Sequence, residues 1–258
     1  NARMAEALVE QERLRRELEL AAEIQRSLLP RRRPESFPVH GANHPARIVS
    51  GDFYDFFSLD DGRICFNLGD VSGKGLNAAL LMAKTISLYR CLGKTVHQPG
   101  RLLALLNGEI CETATRGMFV TMVGGMYDPK TGIVRLANAG HEPPLYHDRQ
   151  GVFTPLPAEA PPLGILPLPV PDGVFPETEL RLDGGTLYLF TDGVTEGYTD
   201  GGAPLEVEGL KALIRKNAAL TLAGRVDAVI NRLRHGTGAL RDDLTVLAIE
   251  DRRQAENG

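Results

Sequence analysis

Residues 3–29 contain neither Gly nor Pro, and Glu, Arg, Leu and Ala, all good helix formers, dominate them. Met4, Ala7, Gln11, Leu14, Leu18, Ala21, Gln25 and Leu28 fall alternately three and four residues apart. That spacing predicts one long helix with an a/d seam, broken by Gln at two seam positions. Such a seam packs either on its own domain or against a second copy in a parallel coiled coil. Pro30 and Pro34 end the helix, and the Arg31–Arg33 run between them reads as a solvated linker. Beyond residue 40 the period shortens. Strands are predicted at 63–68, 119–127, 133–137, 186–190 and 244–249, bounded by turns such as Asp61-Gly62, Thr131-Gly132 and Asp183-Gly184-Gly185. The stretch 126–133 reads as a hairpin turn. Helices are predicted at 76–92, 99–113, 207–217 and 222–235. Strands and helices cluster rather than alternate, which favours α+β over a doubly wound sheet. Residues 143–176 hold ten of the 17 prolines and read as an irregular surface segment, a flap beside a site.

Composition narrows the class. Of the 258 residues 43% are hydrophobic and 24% charged, as in a soluble globular protein. No apolar run approaches the roughly 20 residues of a membrane span, and the charged N-terminus is no signal peptide. Asn1-Ala2 reads as an expression scar, which would make the chain a fragment of something longer. Cys65, Cys91 and Cys111 have no metal-ligand spacing, and none has Arg six residues on, so a cysteine-phosphatase loop is excluded. Three unpaired cysteines point to a reducing cytoplasm. The net charge of −4 gives no support for nucleic-acid binding. Residues 1–34, with eight Arg and six Glu, are net positive, so the remainder carries the acidic excess.

Some of those acids share a form: Gly51-Asp52, Gly69-Asp70, Asp192-Gly193 and Asp242-Asp243 each place an Asp at an expected strand end. Carboxylates there can project into a cleft, and several such oxygens suit Mg²⁺ or Mn²⁺. The segment after Asp70, Val71-Ser72-Gly73-Lys74-Gly75, superficially suggests a P-loop. The glycine spacing is wrong and Gly75 replaces the required Ser or Thr, so a nucleotide cradle is rejected.

In order, AAEIQRSLLP at 21–30, PARIVSGDFYDF at 45–56, LGDVSGKGLNAALLMA at 68–83, FVTMVGGMYDPKTGIVRLANAGHEPP at 119–144, PLGI at 162–165, LYLFTDGVTE at 187–196 and DDLTV at 242–246 resemble the bacterial stage II sporulation E / RsbU-type Ser/Thr phosphatases of the protein phosphatase 2C superfamily. The resemblance implies a four-layer α-β-β-α sandwich of two antiparallel sheets flanked by helices. It implies a site for two ions, Mn²⁺ or Mg²⁺, held by Asp52, Asp70, Asp192 and Asp242 with the Val71 carbonyl, Asp70 bridging them. Asp243 would support the turn, and Asp55 and Glu196 would act as outer acceptors. Ser50 replaces the first Gly of the family's Gly-Gly-Asp, and Ser72 stands where the eukaryotic branch has a His, which leaves the general acid unassigned. His141 matches a family motif and is expected to be structural. Arg47 and Lys74 are the candidates for holding phosphate.

Four carboxylates and two divalent ions nearly cancel, so a loaded site could accept a phosphate dianion. Its ions would lower the pKa of a bound water toward about 7, giving a hydroxide for in-line attack on phosphorus. By resemblance the substrate is a phosphorylated anti-anti-sigma factor of the STAS type in a partner-switching pathway. The expected layout is a linker helix over 1–30, able to join two copies as a homodimer, a connector over 31–44 and the phosphatase domain over 45–252. The fragment is expected to contact no membrane. Two rivals are a dimeric scaffold that binds partners without turnover and a metal-dependent phosphodiesterase acting on a small molecule.

Overall fold

The computed structural model describes residues 2–113, 117–167, 173–199, 202–236 and 240–253. In chain order it forms α1 (Ala2–Leu28), β1 (Val39–His44), β2 (Phe53–Ser58), β3 (Ile64–Val71), α2 (Leu76–Leu92), α3 (Pro99–Thr113), β4 (Val120–Asp128), β5 (Ile133–Ala139), β6 (Leu145–His147), β7 (Phe153–Pro155), β8 (Thr178–Arg181), β9 (Thr186–Phe190), α4 (Asp192–Glu196), α5 (Glu206–Lys216), α6 (Leu222–Arg234) and β10 (Leu244–Glu250). One five-stranded antiparallel sheet has the order β1-β10-β9-β6-β7, the other β2-β3-β4-β5-β8.

Strand alternation builds the layers. Tyr54, Phe56, Ile64, Phe66, Leu68, Val134 and Leu136 face Leu187, Leu189, Leu247 and Ile249 of the opposing sheet. Phe53, Phe57, Cys65, Met122 and Ala137 point the other way, against Met82, Ile86 and Tyr89 of α2 and Leu102, Leu103 and Leu106 of α3. Tyr188, Phe190, Leu244 and Val246 lie under Leu210 and Ile214 of α5 and Val226, Val229 and Leu233 of α6. The result is the expected four-layer α-β-β-α sandwich.

The N-terminal helix divides its seam. Positions 3–17 are exposed. From Leu18 onward the helix meets the domain: Ala22 packs with Val49 and Ala79, Gln25 is buried, and Leu18, Ala21 and Leu28 are half-buried. The small side chains of Ala21, Ala22 and Ala79 let α1 lie close to α2.

Two stretches differ from the sequence reading. Val39–His44, within the stretch read as a connector, pairs residue for residue with β10 as an edge strand; its polar residues give no apolar alternation. The proline-rich stretch is no free flap. It contains β6 and β7, and Leu163 is fully buried, with its backbone exchanging two hydrogen bonds with Val120 at 2.9 and 2.8 Å. Residues 168–172 of that stretch lie outside the described residues.

Candidate metal centre and active site

The alternation that fills the inter-sheet core continues past its apolar end. Asp52 follows the parity of Tyr54 and Phe56, Asp70 that of Phe66 and Leu68, and Thr191, Asp243 and Thr245 that of Leu189 and Leu247. The same rows that bury leucine and phenylalanine therefore deliver oxygen at one end of the sandwich.

Asp52 is 3% exposed. Its Oδ2 accepts hydrogen bonds from Thr191 Oγ1 and Thr245 Oγ1, each at 2.6 Å, so the carboxylate of one sheet is tied to two hydroxyls of the other. Asn43 Nδ2 donates to Thr245 Oγ1 at 2.8 Å, which extends the network to β1. Asp70, Asp192, Asp242 and Val71 line one cavity of about 200 Å³ together with Arg47, Lys74, Arg241 and Asp243. Asp52 is buried behind the Gly51 lining residue, close enough for the charge of Asp70 to act on it.

Crowded carboxylates resist ionisation. Burial, then the Asp192 charge, pushes Asp70 up to about 7. Burial, followed by Asp242, also raises Asp192. Asp52 is raised by burial first and by Asp70 second, and its two threonine hydrogen bonds only partly offset this.

Glycines set the approach of the backbone. A Cβ on Gly51 would lie 3.2 Å from Asp70 Oδ1 and 3.2 Å from the Val71 carbonyl oxygen, so the Gly51 turn runs directly against two proposed ligand atoms. A Cβ on Gly193 would come within 2.0 Å of the Asp243 carbonyl oxygen; only glycine lets α4 start against the 242–243 turn.

The donors fit a hard divalent cation: all are oxygens, from carboxylates and one carbonyl, and of the four carboxylates Asp242 alone forms an ion pair among the described residues, with Lys74. Among the described residues, no three His, Cys, Asp or Glu side chains already form a compact ligand cluster. Asp242 is held aside by Lys74, whose Nζ donates to Asp242 Oδ2 at 2.7 Å and to the Arg241 carbonyl at 3.3 Å. Lys74 is thus engaged with a carboxylate, while Arg47 is exposed at the cavity wall.

Asp243 acts as a brace. Its Oδ1 accepts from Ala46 N at 2.8 Å, and its Oδ2 accepts from Ser50 Oγ at 2.7 Å and Gly51 N at 3.0 Å. Ser50 also accepts from Asp52 N at 3.1 Å, so its hydroxyl links the brace to the Asp52 turn. Gln25 of α1 reaches the same turn, its Nε2 donating to the Ser50 carbonyl at 2.8 Å and its Oε1 accepting from Ser50 N at 3.0 Å.

His141 is buried between sheets. Thr121 Oγ1 donates to Nδ1 at 2.8 Å and Nε2 donates to the Phe190 carbonyl at 3.1 Å, an arrangement that requires the Nε2–H tautomer. Burial lowers its pKa to about 4, so the ring is neutral. Ser72 is also spent on the backbone, accepting from Phe119 N at 2.8 Å.

Asp55 does not belong with the site. It has the opposite strand parity to Asp52, is fully buried, and pairs with Arg90 of α2, whose Nε donates at 2.8 Å. The expectation of an outer-shell acceptor there is corrected; Arg90 offers what a buried carboxylate needs. Glu196 is exposed and borders a neighbouring cleft. Thr191, Thr245 and Gln25 were not singled out as site residues. The sequence carries their signals: a hydroxyl in the apolar parity of a strand (Thr245) or just past its end (Thr191), and a polar residue in a helix seam.

The family model for stage II sporulation protein E (SpoIIE) matches residues 60–252. Over 244 residues the chain is 31% identical to phosphoserine phosphatase RsbU of Bacillus subtilis, covering 93% of this chain and 71% of that protein. It is 28% identical over 193 residues to phosphoserine phosphatase RsbP of the same organism, covering 70% of this chain and 46% of that protein, less than half its length. The fold matches the PP2C domain of SiaA from Pseudomonas aeruginosa with a TM-score of 0.79 at 22% identity, over 93% of this chain and 98% of that one. No helix among the described residues is long and apolar enough to cross a membrane.

Proposed function

The chain belongs to the stage II sporulation protein E family and is a serine/threonine phosphatase, and from that premise we propose that it dephosphorylates a STAS-type anti-anti-sigma regulator in a cytoplasmic partner-switching pathway. The observation that carries this reading is the convergence of Asp70, Asp192, Asp242 and the Val71 carbonyl on one cavity next to the buried Asp52.

Phosphatases of this family are metal-dependent. Asp52, Asp70, Asp192 and Asp242, with the Val71 carbonyl, would hold two Mn²⁺ or Mg²⁺ ions. Ions there supply charge neutralisation for a phosphate dianion and lower the pKa of a coordinated water. The chain's own groups do the rest. Thr191 and Thr245 orient Asp52 so that one oxygen is occupied and the other is left for a ligand. Asp243 and Gly51 hold the backbone of the Asp52 turn against Asp70. Arg47 and Lys74 border the cavity with positive charge for phosphoryl oxygens, Lys74 once it leaves Asp242. The intact acid set disfavours a scaffold that binds without turnover.

The test combines metal content with phosphate release from a phosphorylated STAS-domain protein. Turnover should require Mn²⁺ or Mg²⁺ and disappear in excess EDTA. Asp70→Asn or Asp192→Asn should lower it at least ~100-fold, about 2.7 kcal/mol in barrier, with the fold retained. Full turnover in EDTA would overturn the two-ion reading.

A further inference from the structure

A second cavity, of about 810 Å³, opens beside the carboxylate site and shares Lys74, Arg241 and Asp242 with it. It is cut between α4, the start of α5 and the end of α6. Its floor is apolar: Val207, Leu233, Leu240 and Leu244. Tyr198 forms one wall, pinned by a bridge to Pro204. The Arg241 guanidinium lies over the Tyr198 ring, 4.4 Å from its centroid, and donates to its hydroxyl at 3.1 Å. Glu206, on the lining, holds a left-handed φ of 55°, a conformation that non-glycine residues keep where surroundings enforce it, often at ligand clefts.

A phosphoryl group needs only the smaller cavity. The larger one adds a trough, apolar along this floor and polar at its rim through Thr195, Glu196 and Glu206, that begins at the walls of the phosphate site and leads away from it. Its volume and apolar floor suit side chains rather than the phosphate. We propose that this cleft docks the polypeptide of the substrate, taking an apolar side chain adjacent to the phosphoserine onto the Val207–Leu240 floor. The occupant follows from continuity: whatever enters the carboxylate cavity past Arg241 lays its neighbouring residues in this trough. Arg241 joins the two spaces, one face on Tyr198 and one edge on the phosphate cavity. The inference rests on the phosphatase reading.

The test uses p-nitrophenyl phosphate and two peptides, Gly-Leu-pSer-Leu-Gly and Gly-Ala-pSer-Ala-Gly, with the metal-loaded full chain. The wild type should favour the leucine peptide by about 10-fold in kcat/KM, through KM. Val207→Asp puts a charge in the floor, and Val207→Thr replaces the valine by a polar near-isostere. Both should remove most of the preference while p-nitrophenyl phosphate turnover stays within about twofold of wild type. Thermal melting checks that each variant folds. A wild type without leucine preference, or a preference that survives both folded variants, overturns the docking inference and leaves the phosphatase reading intact. Hydrolysis of none of the three compounds overturns the phosphatase reading and the docking inference with it.

Discussion

Replacing Gln25 by Ala removes the only side chain of α1 that hydrogen-bonds to the Asp52 turn among the contacts described above. The amide bonds both backbone groups of Ser50, at 2.8 and 3.0 Å, and also reaches the Ala79 carbonyl of α2 at 3.4 Å. Ser50 is 3% exposed and Gln25 8%, so these partners would be left in a nearly dry place. A buried group deprived of its partner costs about 1–3 kcal/mol. Two such groups, with water entering partly from the helix end, give about 2–3 kcal/mol. That loss falls first on the docking of α1, because the remaining anchors are the small Ala22–Val49–Ala79 contact and the half-buried Leu28 and Leu29. Undocking releases Ser50, and Ser50 holds Asp52 N. Gln25→Ala should therefore speed amide hydrogen exchange at Ser50 and Gly51 and weaken Mn²⁺ binding by calorimetry, while the exchange of β9 and β10 is unchanged. Gln25→Glu keeps the acceptor for Ser50 N but sets a carboxylate against the Ser50 and Ala79 carbonyls in a nearly dry place, and should disturb the turn at least as much as Gln25→Ala. Unchanged exchange at Ser50 together with unchanged Mn²⁺ affinity in Gln25→Ala would refute a mechanical link between α1 and the site.

Asp243→Asn should lower stability by about 1–3 kcal/mol, because an amide cannot accept all three of the hydrogen bonds that brace residues 46–51. Asp242→Asn should leave the melting temperature nearly unchanged yet lose turnover; equal stability losses would show that both carboxylates are structural. His141, depressed to about 4 from an ordinary value near 6.5, binds protons more readily when the chain is unfolded. Its contribution, up to about 3 kcal/mol, is complete above pH 6.5 and fades as pH falls toward 4. Urea titrations of His141→Gln should show a flatter dependence across that window, and an unaltered slope would place the acid sensitivity elsewhere. Leu14 is 52% exposed on the free half of α1, so Leu14→Glu should convert a dimer to monomer in light scattering without lowering stability. A wild-type monomer at tens of micromolar would remove the dimer.

The α+β class was legible because strand and helix patterns cluster along the chain, the four-layer sandwich came only with the family resemblance, and the metal-ligand candidates were legible because glycine marks three of the four acidic spots. What stayed hidden depends on parity across distant segments. Asp52 and Asp55 sit three residues apart in one motif, yet they face opposite sides of β2, and only pairing with β3 and α2 fixes which side is the site. Gln25 looked like a polar defect in a coiled-coil seam, since the seam does not reveal that α2 and the Ser50 turn claim its lower half. Edge strand β1 lacks an apolar rhythm because its pairing comes from β10 alone.

The tie between Asp52 and the two threonines makes the reaction centre also a clasp between the sheets. A relative that abandoned catalysis could not simply discard Asp52. It would inherit two hydroxyls that still accept, from Asn43 Nδ2 and Thr245 N, but have lost the acceptor for their protons, and would be relieved by replacing Thr191 and Thr245 at the same time. Loss of activity in this lineage should therefore appear as concerted change at all three positions, because the trio serves the shape of the molecule as well as its chemistry.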